Sequence, residues 1–503
     1  MANTVVETTY GKLDGLDKGD VLQFRGIPYA APPVGDRRFR PPAPPDAWTD
    51  VREAKTFGPA APQSSSAIDL LNTRELEMSE DCLTLNVYTP GADDARRPVM
   101  VWIHGGAFVT GTGSSPWYNG TTFASKGDVV VVTINYRLGA LGFMYLDDIV
   151  EDIQDSANLG ILDQIAALEW VRDNIAAFGG DPENVTVFGE SAGAMSIGTL
   201  LGTPAAKDLF HRAVLQSGAV RHMSDRDEAS RIAKDLTGHL GLDRLSAATL
   251  REIQFEQLIE AQGITFMSYW GKTRGLPLQP VLDGVVLPEH PLQAIENGST
   301  AGKELLAGTT RDEMLLFALL DPKHQTLTEE ELVKRATRAF GDAAGATRAI
   351  ATYRGNRPDA TPGEISSAIQ TDYVFRSSMN ELVDKHQGDA FVYLFEYCSP
   401  VMGGKLGSCH ALEIPFVFNA LDAPGADQFS GPPTAEMREL AFAMNEAWTN
   451  FARSGRPQST LLPEWPPFDD QRRTMVFDIE SRVIEDPLGN ERLLWLGAAR
   501  PSR

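Results

Sequence analysis

Residues 185–201 constrain this chain more than any other stretch. Val185-Thr-Val-Phe188 is a short apolar run of strand character, Gly189-Glu-Ser-Ala-Gly193 follows, and Ala192 to Leu201 has helical character. A strand that enters a helix through G-x-S-x-G makes a sharp turn, with strained backbone at the serine and its hydroxyl pointing away from the sheet. A side chain at 189 or 193 would collide with neighbouring backbone, which explains glycine at both. The N-terminus of the following helix favours negative charge developing beside Ser191. The string alone is cheap in a chain with 45 glycines. The flanking strand and helix make it specific.

The surrounding pattern predicts an α/β fold. Pro98-Val-Met-Val-Trp-Ile103 and Val129-Val-Val-Val-Thr-Ile134 are continuous apolar runs. Such runs suit strands buried on both faces, as in a parallel sheet. Between them and the elbow, Ile161, Ile165, Leu168, Trp170, Val171 and Ile175 recur at helical spacing, and Gly179-Gly-Asp-Pro182 stops that helix. Further strands are expected at 303–308 and 390–396, with mostly helix over 326–387. Leu440, Ala441, Met444, Trp448 and Phe451 form one face of a helix closed by Gly455 and Pro457. Alternating strands and helices predict a large, mostly parallel central sheet flanked by helices. The Pro-rich stretches 31–33, 41–45 and 463–467 read as surface loops. No repeat, long linker or domain boundary is visible.

Charge and cysteine content exclude several classes. With 45 basic and 68 acidic residues the net charge is −23, which repels nucleic acid and anionic membranes. Three cysteines, Cys82, Cys398 and Cys409, are too few for a disulfide scaffold. Residues 1–10 show neither a basic region nor an apolar one, and no apolar run approaches the ~18 residues of a membrane span. These features lead to the expectation of a cytoplasmic protein.

A serine nucleophile needs a base, and the base an orienting acid. Eight histidines are present. His211 and His222 follow the elbow too soon. His239, His290, His324 and His386 lie in polar surroundings that suit a surface role. His410 lies in a Gly-rich loop after the expected strand 390–396, where such sheets place reacting groups. For the acid, Gly308-Thr-Thr-Arg-Asp-Glu313 follows the expected strand 303–308, and spacing alone leaves Asp312 and Glu313 both open. His104-Gly-Gly106 follows the strand ending at Ile103. Its glycines let backbone N–H groups approach a substrate oxygen, so Gly105, Gly106 and Ala192 are the candidate oxyanion donors. His104 is read as structural. A metal site on His410 and Glu413 is set aside, because no H-E-x-x-H occurs and no second histidine is near.

These motifs, with Phe24-Arg-Gly-Ile-Pro-Tyr-Ala30, Ser79-Glu-Asp-Cys-Leu83, Asn135-Tyr-Arg137, Asn158-Leu-Gly160, Asp163-Gln164 and Gln216-Ser-Gly218, resemble the type-B carboxylesterase and cholinesterase-like branch of the α/β-hydrolases. The resemblance implies one α/β-hydrolase domain over residues 1–503, enlarged by insertions covering the site, rather than the three domains that length alone would suggest. It implies a serine esterase of small ester substrates, with no cofactor or metal, acting as a monomer or small homo-oligomer. It selects Glu313 as the acid beside Ser191 and His410, and it gives Ser217 a supporting role behind that acid. Ala61 stands where the family often has the cysteine that pairs with Cys82, so Cys82 is expected to be a free buried thiol. Cys398 and Cys409 are close enough in sequence for a bridge. Asn72 stands where cholinesterases hold choline on tryptophan, which argues against that specificity. The substrate pocket is assigned to Phe108, Phe266, Tyr269, Trp270 and Phe317. The H-G-G-A-F loop implies room for bulky, even tertiary, alcohols.

Overall fold

The structure is a computed structural model and describes residues 4–64, 76–269, 275–318 and 321–496. Asn72 and Trp270 lie outside the described residues. The frame is an eleven-stranded sheet. In chain order its strands are Leu16–Asp17 (β1), Leu22–Pro28 (β2), Thr84–Thr89 (β3), Arg97–Ile103 (β4), Val130–Ile134 (β5), Gly180–Glu190 (β6), Arg212–Gln216 (β7), Glu304–Thr310 (β8), Ala390–Phe395 (β9), Arg473–Phe477 (β10) and Arg482–Glu485 (β11). Across the sheet they run β11-β10-β9-β8-β7-β6-β4-β5-β3-β2-β1. Every neighbouring pair from β10 to β5 is parallel, and the pairs beyond are antiparallel. The expected α/β class with a large, mostly parallel sheet is what the structure has.

The helices used below are Leu159–Asn174 (α1), Ala192–Gly202 (α2), Phe255–Tyr269 (α3), Met314–Ala318 (α4), Pro362–Thr371 (α5), Ser377–Lys385 (α6), Ala435–Ser454 (α7) and Gly489–Trp495 (α8). The continuous apolar strands exist because both faces of the sheet are covered. Val99, Val101, Ile103, Val185 and Val187 pack on one face with Ile161, Leu168 and Val171 of α1 and Ile197 of α2. Their neighbours Met100, Trp102 and Phe188 pack on the other face with Met444, Trp448 and Phe451 of α7. The strand period of two therefore sends alternate residues into two separate cores. Full burial of each such side chain contributes about 1.5–3 kcal/mol. The face of α7 and its end at Gly455, where φ is 76°, are as the sequence predicts.

The N-terminal strands carry no clear sequence signal. Thr84–Thr89 alternates polar and apolar residues yet is buried along its whole length. Asn86 is satisfied inside the protein: its Nδ2 donates to Thr133 Oγ1 (3.0 Å) and its Oδ1 accepts from the Gly26 N–H (3.0 Å). Arg137 and Asp163 form a buried, two-pronged pair, Nη2 to Oδ1 at 2.6 Å and Nε to Oδ2 at 2.8 Å. That pair ties the segment after β5 to α1. All three cysteines are free; Cys82 and Cys409 are buried and Cys398 is exposed. Among the described residues no helix is long and apolar enough to cross a membrane.

Candidate active site

Strand β6 delivers Ser191 to the first turn of α2. The residue adopts φ 56° and ψ −124°, a conformation that L-residues rarely take and that marks a turn held by its surroundings. Its N–H donates to the Gln216 carbonyl of β7 (2.9 Å), and its own carbonyl accepts from Met195 N–H (2.8 Å). The flanking glycines are required by β4. A Cβ at 189 would lie 2.6 Å from the Ile103 carbonyl oxygen, and one at 193 would lie 2.0 Å from it.

His410 reaches the same place from the loop after β9. That loop is anchored by Ser408, whose hydroxyl donates to the Phe395 carbonyl (2.7 Å) and whose N–H donates to Asp312 Oδ2 (3.1 Å). Asp312 is thereby committed to holding the loop and to pairing with Arg311. Its neighbour Glu313 is fully buried and faces the ring. His410 Nδ1 lies 2.6 Å from Glu313 Oε2, and His410 Nε2 lies 2.8 Å from Ser191 Oγ. Glu313 Oε1 accepts from the Thr310 N–H at 2.8 Å. The structure thus brings together Ser191, His410 and Glu313, and it separates the two adjacent acids that spacing left open.

The loop after β4 packs directly on the serine. A Cβ on Gly105 would meet the Glu190 carbonyl oxygen at 2.7 Å and Ser191 Cβ at 3.0 Å. Gly106, Ala107 and Phe108 have φ of 113°, 55° and 62°, so this short segment turns sharply. The N–H groups of Gly105, Gly106 and Ala192 bond to no acceptor among the described residues. His104 stacks on Tyr136 with ring centroids 4.5 Å apart. Its Nδ1 is 2.8 Å from the Gly105 carbonyl. That oxygen only accepts, so Nδ1 carries the proton. Burial pushes the His104 pKa down to about 4, which keeps the ring neutral and fits the structural role expected of it.

Two further carboxyls surround the pair. Glu190 Oε1 is 3.1 Å from His410 Nε2, and burial, with Glu313 near, holds its pKa well above the carboxylate range. Glu413 is pushed up to about 8, first by burial and then by Glu190 and Glu313. Gln216 Nε2 donates to Glu413 Oε1 (3.3 Å) and Trp448 Nε1 donates to Gln216 Oε1 (3.1 Å). Ser217 is buried with φ 52°, and its N–H donates to the Gly308 carbonyl (2.9 Å). Its hydroxyl has no partner among the described residues, so no bond to Glu313 supports the role expected for it. Sequence reasoning did not single out Glu190 or Gln216. The available signal was a polar residue closing the apolar end of each strand, Glu190 after residues 185–189 and Gln216 after residues 213–215.

The expected pocket divides. Phe317 packs at the imidazole of His410, centroids 5.3 Å apart. Phe375, which the sequence did not suggest, lies closer at 4.8 Å. Phe108 is a core residue against Phe143 (4.9 Å). The Tyr269 hydroxyl donates to Asp235 and Arg231 lies over its ring, so both engage it with the helix Arg226–Gly238. Phe266 is half-buried on α3.

The profile of the carboxylesterase family matches residues 2–493. The chain is 40% identical over 498 residues to para-nitrobenzyl esterase of Bacillus subtilis, covering 98% of both chains. It is 37% identical to phenmedipham hydrolase of Pseudarthrobacter oxydans, covering 96% of this chain and 97% of that one. A solved carboxylesterase of Geobacillus stearothermophilus superposes with a TM-score of 0.88 at 43% identity, covering 98% of this chain and 100% of the other. With an α/β-hydrolase fold and relatives of this kind along its length, the chain belongs to the carboxylesterase family and is a carboxylic-ester hydrolase.

Proposed function

We propose that the chain cleaves esters through a covalent acyl-enzyme on Ser191. The observation that carries this reading is the continuous chain from Ser191 Oγ through both nitrogens of His410 to Glu313, with contacts of 2.8 and 2.6 Å. A carboxylate only accepts hydrogen bonds, which places the ring proton on Nδ1 and leaves Nε2 to accept from the hydroxyl. Ser191 Oγ attacks the ester carbonyl carbon while His410 Nε2 takes its proton. The tetrahedral oxyanion is held by the N–H groups of Gly105, Gly106 and Ala192. Collapse breaks the ester C–O bond, and His410 returns the proton to the departing alcohol. Water then attacks the acyl-enzyme by the same proton route, releasing the acid and free Ser191. Glu313 fixes the imidazole tautomer and stabilises the imidazolium.

The substrates are apolar short- to medium-chain esters, including those of bulky or tertiary alcohols. Phe317 and Phe375 beside the imidazole support this. The same reading takes residues 1–503 as one domain that acts as a monomer or small homo-oligomer. The test is a fluorophosphonate probe with peptide mass spectrometry, alongside Ser191→Ala. Label on Ser191 and loss of para-nitrophenyl ester turnover in the variant are expected. Near-wild-type turnover by Ser191→Ala would refute the assignment. An ester series running to tert-butyl acetate maps the pocket, and no turnover of that ester removes the tertiary-alcohol claim.

A further inference from the structure

The segment Asp372–Arg376, between α5 and α6, is wound as a single π-helical turn. Such turns are rare inside α-helical stretches and occur frequently at functional sites. Two consecutive side chains leave it toward the His410–Glu313 pair. Phe375 packs on the imidazole. Arg376, only 7% exposed, grips the turn between β8 and Glu313. Its Nη2 donates to the carbonyls of Thr310 (3.1 Å) and Arg311 (2.8 Å), and its Nε donates to Thr309 Oγ1 (3.3 Å). Thr310 is the residue whose N–H holds Glu313 Oε1.

The grip is braced from outside. Arg376 Nη1 donates to Asp372 Oδ1 (2.5 Å). The Tyr353 hydroxyl donates to Asp372 Oδ2 (2.5 Å), and its oxygen accepts from Trp495 Nε1 on α8 (3.0 Å). Stability gives little reason for such a pair, because a buried ion pair is often no better than an apolar replacement. A planar fork that reaches two carbonyls and a hydroxyl while pairing with a carboxylate does give one, since lysine cannot reproduce it.

We propose that Arg376, held by Asp372, is a positioning residue for Glu313, and that α8 is the outer brace of this clamp. The proposal rests on the acyl-enzyme reading, because Glu313 matters to turnover only if His410 is the base. Displacement of a reacting group by about 1 Å can cost about 10²-fold in rate. Arg376→Lys is therefore expected to lower kcat for para-nitrophenyl acetate by roughly 10- to 100-fold with KM unchanged, active enzyme being counted by fluorophosphonate labelling. Trp495→Phe removes one distant hydrogen bond and is expected to lower kcat a few-fold, which keeps the test available if Arg376→Lys folds poorly. In a Glu313→Gln background both penalties should vanish, an outcome that general loosening of the fold would not produce. Unchanged kcat in both variants, or the same penalty in the Glu313→Gln background, overturns the clamp. Failure of the wild-type enzyme to label at Ser191 overturns the acyl-enzyme reading itself, so the two failures are distinguishable.

Discussion

Gly105→Ala tests the packing of the loop after β4 against the serine. The added methyl would lie 2.7 Å from the Glu190 carbonyl oxygen, 2.9 Å from Glu190 Oε2 and 3.0 Å from Ser191 Cβ. Ordinary contact begins near 3.4 Å, so relief of the closest clash needs a separation of 3.4 − 2.7 = 0.7 Å. The carbonyl belongs to β6 at the elbow and has little freedom to yield. The loop must therefore withdraw. Oxyanion donors work over a window of about 2.7–3.1 Å, narrower than that displacement. Loss of one donor costs about 10²–10³ in kcat, or about 2.7–4 kcal/mol of transition-state stabilisation. We expect a fall of that size in kcat for para-nitrophenyl acetate, with KM altered much less and fluorophosphonate labelling slowed in proportion. Gly355→Ala serves as control, because a Cβ there meets nothing within 4 Å and the residue is helical. It should leave kcat unchanged and gain up to about 1 kcal/mol of stability. A Gly105→Ala enzyme with kcat within a few-fold of wild type would refute the reasoning, since the loop could then not both press on Ser191 and supply a donor.

Other outcomes follow from the buried charges. The Glu413 carboxyl, at about 8 in the folded protein against 4.5 as its ordinary value, keeps its proton where the unfolded chain has released it. Folded stability should therefore decline from about pH 4.5 to about pH 8 on account of this group and level off above. Glu413→Gln should melt progressively higher than wild type across that window, and a constant difference in Tm from pH 5 to pH 8 would contradict it. Asp163→Ala leaves the buried Arg137 guanidinium without its two-pronged partner and should cost about 3–5 kcal/mol. Urea denaturation checks this, and a loss below about 1 kcal/mol would show the pair to be dispensable.

What could be read from residues alone was what local geometry enforces. The elbow was legible because the approach of β4 leaves no room for a side chain at 189 or 193, so the constraint is written in the glycines themselves. The central strands were legible because two covered faces demand unbroken apolar runs. Thr84–Thr89 was not, because its polar residues are satisfied by partners such as Thr133 that only the folded sheet brings near. Asp312 and Glu313 are neighbours, and the choice between them depends on which one the Ser408 loop engages. Arg376 lies 66 residues from the Thr310 carbonyl it holds and follows no spacing rule. The bond from the Tyr269 hydroxyl to Asp235 spans 34 residues and likewise follows no spacing rule.

The ends of the sheet carry a consequence of their own. A sheet of eleven strands stops at Leu16–Asp17 on one side and at Arg482–Glu485 on the other. The first border is two residues long. The second is bounded by an exposed arginine and an exposed glutamate. Unpaired strand borders are where foreign chains add on and aggregates begin, and brevity and charge are the usual defences. The two borders of this broad, mostly parallel sheet thus offer little backbone for another chain to pair with.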